Sequence, residues 1–314
     1  MKKLESLSVV VPLYKSSEYI EEFYRRITLV ADRVAQNTSI IFVDDGCPNG
    51  SARTAQCACK DDSRVTVLKL SRNFGQHKAL MAGLSVAESD WVYSCDADLE
   101  EPPELLENFV RDLQSSPVDL LVGVQSNRRG SGVGKWMGSL FYKVFNRLSN
   151  VSVPENLTAV FLMSARFRRA LLPFRESHLY LAGVVELVGL SRRTIPIDKR
   201  DHGVTSYSCN QRFVLAVNAV TSFSAAPLMG LLYLGGVMTI FSLLAFIVLA
   251  VAWSSSSAEV GWLSLLGAIS FFGSLIVFSI GLVGVYVAKI FEEVKRRPGW
   301  IIEYAWKGGG ECRD

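Results

Sequence analysis

The sequence predicts an α/β domain built on a mostly parallel sheet, followed by two helices that cross a membrane. Three observations predict it. Over residues 1–125, short β-rich apolar runs alternate with longer helical patterns, the signature of a parallel sheet covered by helices. Apolar residues then crowd into two uncharged runs near the C-terminus. The chain of 314 residues is 49% hydrophobic with mean hydropathy +0.25, where a soluble protein of this charge content sits near or below zero.

Strands are placed at Leu7–Leu13, Ser39–Val43, Val65–Leu70 and Trp91–Ser94, each a run of Val, Ile, Leu or aromatic residues, and a fifth at Leu120–Val124 closes the series. Helices are expected at about Ser17–Asn37, Gly50–Lys60, His77–Ala87 and Pro103–Gln114, the last opened by a proline pair suited to a first turn. Beyond Gly130, residues 131–149 interleave Trp136, Leu140, Phe141, Val144 and Phe145 with Lys135, Lys143 and Arg147, a basic amphipathic pattern. Residues 206–222 give a second such stripe.

The two apolar runs, Ala225–Trp253 and Trp262–Ala288, hold no acid, base or histidine, and each exceeds the about 20 residues that cross a bilayer as a helix. The connection Ser254–Gly261 carries only Glu259, so the pair reads as a tight hairpin. Arg192, Arg193, Lys199, Arg200 and Arg212 precede the first run and Lys289, Lys295, Arg296 and Arg297 follow the second, which places both flanks on the cytoplasmic side. The reading is a multi-pass protein of the cell inner membrane with its globular domain in the cytoplasm. Lys15 interrupts the short apolar run after Lys2 and Lys3, so no secretory signal is read. The six cysteines lack paired metal-ligand spacing and are expected as thiols. A net charge of +3 is too small to imply nucleic acid.

In an open parallel α/β sheet, ligands bind beyond the carboxyl ends of the strands. Unusual residues gather there: Pro12 and Tyr14 after the first strand, Asp44, Asp45 and Gly46 after the second, Arg72 and Asn73 after the third, and Asp96, Asp98 and Glu100 after the fourth. Two carboxylates two residues apart after a buried strand can hold one hard cation, Mg²⁺ or Mn²⁺, and leave positions for diphosphate oxygens. None of His77, His178 and His202 has a metal partner at suitable spacing.

Val-Val-Val-Pro-Leu-Tyr, Val-Asp-Asp-Gly, Leu-Ser-Arg-Asn-Phe-Gly and Asp-Ala-Asp-Leu-Glu-Glu-Pro-Pro-Glu, in this order, resemble family 2 glycosyltransferases of the GT-A fold. The branch most resembled is the polyprenyl-phosphate glycosyltransferases, which include dolichyl-phosphate mannose synthase and bactoprenol glucosyltransferases. Arg128 and Arg129, Ser139–Asn146, the stretch Arg200 to Tyr207, Ser222-Phe-Ser224 and Pro227-Leu228 are similar to that branch too. The resemblance implies inverting transfer of a sugar from a nucleotide diphosphate sugar, with uridine and a hexose favoured, to a polyprenyl phosphate at the cytoplasmic membrane face. It implies that Pro12, Tyr14, Asp44, Asp45, Arg72 and Asp96 bind the donor, that Asp96, Asp98 and Glu100 hold the metal, and that Asp98, Arg128 and Arg200 serve the chemistry, the two arginines as phosphate clamps. The expected layout is a catalytic domain over 1–205, a juxtamembrane helix over 206–224, spans over 225–253 and 262–288 and a cytoplasmic tail over 289–314. A homo-oligomer is expected, with a tetramer one candidate.

Three departures carry consequences. Glu100 stands where relatives commonly have Gln and adds negative charge, and Ser206 replaces a Lys of the presumed phosphate region. Ala159 stands where relatives carry an Asp, which removes a base that a hydroxyl acceptor would need. A lipid monophosphate, with a second pKa of about 6, is largely dianionic at neutral pH and needs none. Glu155 and Glu100 are substitute candidates. Two other readings stay open: transfer to a glycan hydroxyl, and a silent nucleotide-sugar binder that scaffolds a membrane complex.

Overall fold

A computed structural model describes residues 2–125, 157–176, 181–198, 227–235, 237–238, 240–241, 244 and 262–309. Arg128, Arg129, Glu155, His178, Arg200, His202 and Ser206, both predicted amphipathic segments, the hairpin connection and most of the first predicted span lie outside these. The chain divides into two compact units, a sheet domain that includes the residues from Pro298 onward, and a second unit that holds the long C-terminal helix.

The sheet domain starts with β1 (Leu4–Leu13), whose Leu7 to Val11 are buried on both faces, as a central parallel strand must be. Helix α1 (Ile20–Val34) buries Ile20, Phe23, Ile27, Val30, Ala31 and Val34 at helical spacing, with Glu21 and Glu22 in its first turn and Arg33 in its last, matching the helix dipole. It stops short of Asn37 because Ala35 already pairs with Leu4 and opens β2 (Ala35–Asp44). There follow α2 (Ser51–Ala58), β3 (Val65–Leu70), α3 (Gln76–Val86), β4 (Trp91–Ser94), α4 (Leu105–Ser115) and β5 (Leu120–Gln125). Helix α3 lies close on β1 and β2: a Cβ at Gly83 would run into the side chains of Val10 and Val43.

The five predicted strands are present, but they do not close the series. Strand β6 (Leu157–Ser164) runs antiparallel between β4 and β5, pairing Leu162 with both Tyr93 and Leu121. After α5 (Ala165–Leu171) and α6 (Leu181–Val188), β7 (Arg192–Ile197) joins β5 in parallel. Strand β8 (Ile302–Lys307) pairs antiparallel with β3, so a segment expected as cytoplasmic tail is the last strand of the sheet. Trp306, 5% exposed, enters the main core there. The order is β7-β5-β6-β4-β1-β2-β3-β8, and four of the seven pairings among the described residues are parallel. The chain winds from β1 outward through β2 and β3, then returns to place β4 on the other side of β1. The crevice between β1 and β4 is therefore the switch point at which an open α/β sheet takes its ligand.

The second unit contains α7 (Trp262–Val294), which runs past the predicted end of the second span. Within it Phe271–Val294 contains an 18-residue window of mean hydropathy 2.2, none of it buried, and at about 1.5 Å per residue the stretch is long and apolar enough to cross a bilayer. It is the one such helix among the described residues; residues 227–235 of the first predicted span are helical.

Candidate active site

The rim is assembled by two carboxylates at the end of β2. Asp44, 1% exposed, accepts the Cys47 N–H on Oδ1 at 2.8 Å and the Ala52 N–H on Oδ2 at 2.7 Å. The second bond caps α2, whose own cap residue, Gly50, has no side chain to do so. Asp45, 2% exposed, accepts Phe74 N–H at 2.7 Å and Gly75 N–H at 2.8 Å, and so rivets the loop after β3 to the end of β2. Burial pushes both carboxyls above their ordinary pKa, while these backbone donors pull the other way. Gly46 (φ +62°) sits where a Cβ would meet the backbone of Arg72 and Asn73, so the two loops can approach only with glycine here. Arg72 lies on the Phe74 ring, 4.2 Å from its centroid. Tyr14, 47% exposed, stands above, with Lys15 Nζ 5.5 Å from its ring centre.

Across the switch point, Gln76, the first residue of α3, donates from Nε2 to Asp96 Oδ1 at 2.6 Å and fixes that carboxylate's direction. Asp98 Oδ1 accepts the Glu100 N–H at 3.0 Å, closing a turn that holds Leu99 at φ 59°, a left-handed conformation that a leucine adopts only under constraint. The constraint is at hand, because Leu99 packs against the main core. The Tyr19 hydroxyl has its pKa raised by Glu18 first and, among lesser causes, by the negative charges of Asp98 and Glu100, which places these two carboxylates toward the start of α1. Arg26 grips Glu104 with Nε and Nη2 at 2.9 and 2.5 Å, tying α1 to the start of α4.

Between α3 and α6 the sheet carries a cleft of about 360 Å³ that opens beside Asp96. Pro12 from β1 and Ser94 from β4 contribute to its lining, with Gln76, His77 and Leu80 on the α3 wall and Leu181, Ala182 and Val185 on the α6 wall. Leu157, Thr158, Ala159 and Phe161 of β6 and Leu120, Val122 and Gln125 of β5 line the cleft, whereas Val160, Leu162 and Leu121 belong to the opposite core. Glu101, 2% exposed, also lines it.

The predicted residues thus divide. Pro12, Asp96 and Ala159 meet in the cleft, so the residue that the resemblance sets in place of a carboxylate presents a methyl group to it. Asp44 and Asp45 brace the rim from beneath, and Tyr14, Arg72, Asp98 and Glu100 lie along it. Gln76, His77 and Glu101 were not assigned to the site by sequence; Gln76 and His77 sit directly after the Leu-Ser-Arg-Asn-Phe-Gly stretch, the one signal that could have found them. Among the described residues no three His, Cys, Asp or Glu side chains converge as a metal cage. The hard oxygen donors of Asp96, Asp98 and Glu100 suit Mg²⁺ or Mn²⁺, which bind through one or two carboxylates with substrate phosphates and water completing the shell. The donor set fits such an ion in kind.

A wound α/β sheet whose polar groups collect at the switch point defines the class of open α/β proteins that take a ligand beyond their strand ends. Residues 8–173 match the family model described as glycosyl transferase family 2, more than half of the chain, and the chain belongs to that family. It is 38% identical to a protein of Mycobacterium tuberculosis (strain CDC 1551 / Oshkosh) described as putative glycosyltransferases, over 94% of this chain and 87% of that one. It is 30% identical to the undecaprenyl-phosphate 4-deoxy-4-formamido-L-arabinose transferase of Pseudomonas fluorescens (strain SBW25), over 96% and 89%. Among solved structures, glucosyl-3-phosphoglycerate synthase from Mycobacterium tuberculosis in complex with uridine diphosphate gives a TM-score of 0.50 at 17% identity, covering 69% of this chain and 78% of that one. The likeness is one of fold, a GT-A-like α/β domain with a mostly parallel sheet.

Proposed function

We propose that this glycosyltransferase moves a sugar from a nucleoside diphosphate, uridine favoured, to a polyprenyl phosphate at the cytoplasmic face of the membrane, with inversion at the anomeric carbon. The observation that carries the reading is the cleft: it is large enough for one monosaccharide, it opens at Asp96 beside the switch point, and its floor has a methyl group, Ala159, at the position where the resemblance implies a base. A phosphate acceptor attacks without protein help in losing a proton. A relative matched over 89% of its own length and named for undecaprenyl phosphate supports the acceptor.

In this reading the base and ribose lie over Pro12, Tyr14 and Arg72, on a rim held by Asp44 and Asp45. Asp96, oriented by Gln76, faces the diphosphate together with Asp98 and Glu100, and these three would hold Mg²⁺ or Mn²⁺. Such an ion, when bound, offsets negative charge developing on the leaving diphosphate. Arg128 and Arg200 clamp phosphate oxygens. The bond from the anomeric carbon to the diphosphate breaks as an oxygen of the lipid phosphate forms its own bond from the opposite face. Residues 225–253 and 262–288 act as spans that deliver the lipid to a catalytic domain over 1–205, and the protein works as a homo-oligomer. Helix α7, long and apolar enough to cross a bilayer, supports the membrane setting.

Glu101 in the cleft lining favours a second reading, with that carboxylate as base for a glycan hydroxyl. Incubation of the purified full-length enzyme with labelled donor decides. Label on polyprenyl phosphate is expected, and label only on a glycan would reject the proposal. Retained cellular function after Asp98→Ala would instead identify a scaffold.

A further inference from the structure

We propose that the transferred sugar is a deoxyhexose, seated with its deoxygenated edge on an apolar floor; this rests on the assignment of the cleft to the donor sugar. The floor consists of Val122 from β5 and Leu157, Ala159 and Phe161 from β6, and α6 adds Leu181 and Val185 at the side. Among the described residues the polar groups are distributed unevenly. Gln76, His77, Ser94, Asp96 and Glu101 come from the first turn of α3, the end of β4 and the loop after it, on the Asp96 side of the cleft, and Gln125 stands at the outer end of β5. Thr158 also lines the cleft, but its hydroxyl is already engaged within the sheet, donating to the Gly123 carbonyl at 3.0 Å and accepting the Val160 N–H at 3.3 Å.

A cleft of about 360 Å³ is at the small end of ligand pockets, which run from about 300 to 1,000 Å³, so it suits one sugar ring and has no room for a polyprenyl tail. A fully hydroxylated hexose placed there exchanges water at one hydroxyl for aliphatic carbon. A sugar with a methyl or methylene at that position loses nothing and gains contact. Hydrophobic pockets reject an added hydroxyl only modestly, so the preference is expected at about tenfold and no more than about a hundredfold. Ala159 is the determinant: a carboxylate there would turn the floor into a hydroxyl acceptor.

The test is calorimetric titration of the full-length protein in nanodiscs with Mn²⁺, using donor pairs that differ by one oxygen: UDP-glucose against UDP-6-deoxyglucose, and UDP-galactose against UDP-D-fucose, its 6-deoxy form. The deoxy member of at least one pair should bind about tenfold or more tightly, and Ala159→Asp should remove or reverse that preference. Ala159→Ser, a smaller change, should narrow it and guards against a misfolded aspartate variant, with unfolding midpoints measured for both. Equal or weaker binding of both deoxy donors, or no binding of either pair, overturns the inference. Donor preference as stated but no transfer to polyprenyl phosphate leaves the inference standing and overturns the acceptor assignment instead.

Discussion

Replacing Gly46 with alanine tests how the rim is built, because that glycine is held for two separable reasons. Its φ of +62° costs an L-residue about 1–2 kcal/mol, and its missing Cβ leaves room for the Arg72 and Asn73 backbone. Gly50 supplies the control: its φ is +74°, yet nothing lies within 4 Å of an added Cβ. For Gly50→Ala the conformational cost is partly offset by about 0.4–1 kcal/mol from a stiffer unfolded chain, which leaves a loss of about 0.5–1.5 kcal/mol. For Gly46→Ala the neighbouring atoms are backbone and cannot swing away, so about 1–3 kcal/mol of overpacking is added, for a total of about 2–4 kcal/mol. At about 2–4 °C per kcal/mol for a domain of this size, the two variants should unfold several degrees apart. Thermal unfolding midpoints of the detergent-solubilised protein, read by far-ultraviolet circular dichroism, give the comparison, and donor titration should show weaker binding for Gly46→Ala alone. Equal stability and donor affinity in the two variants would refute the close approach of the two loops.

Other consequences follow from the same geometry. Gln76→Ala frees the orientation of Asp96 and should weaken Mn²⁺ activation about 10- to 100-fold, the usual effect of losing an outer partner of a ligand, measured as the metal concentration for half-maximal transfer. Trp306→Ala should cost about 3–5 kcal/mol although the residue is remote from the site, because it leaves a hole in the core under β8; a midpoint unchanged from wild type would show that strand to be an ornament of the sheet. Asp62 accepts from both Arg64 and Tyr24, and the Arg64 guanidinium first of all holds its carboxyl down to about 2. A depressed acid stabilises the fold above its ordinary value near 4 and loses that contribution as pH falls from there toward 2. The stability difference between wild type and Asp62→Asn, followed by urea titration, should therefore shrink over that window; a constant difference would contradict the ion pair.

Much of the fold was legible because its strands and helices advertise themselves locally. Val65–Leu70 and Trp91–Ser94 coincide end for end with the apolar runs read from the sequence, since buried parallel strands must be apolar on both faces. Strands β6, β7 and β8 were not placed, for a different reason in each case. Leu157–Ser164 is a short apolar run whose periodicity does not separate strand from buried helix and which is fixed only by its distant partners β4 and β5, Arg192, Arg193 and Pro196 give β7 the composition of a loop, and Ile302–Lys307 follows an apolar helix and becomes a strand only by pairing with β3. In the site, the spacing of Asp96 and Asp98 after a buried strand was visible, as was the gap at Ala159. The work of Asp45 was not, because its partners are backbone amides 29 and 30 residues further along the chain, and an amide carries no side-chain signature. Gln76 was hidden likewise, being an ordinary residue until α3 carries it to Asp96.

The central claim, that Asp96 and Asp98 hold a divalent ion against a sugar donor's diphosphate at the mouth of the cleft, is open to direct view. Diffraction from crystals of the enzyme with Mn²⁺ and a non-hydrolysable donor analogue, collected at the manganese edge, locates the ion. The account predicts one anomalous peak bonded to oxygens of Asp96, Asp98 and the diphosphate, with the sugar over Ala159. A donor bound with its diphosphate away from both aspartates, or a peak that neither of them touches, would contradict it.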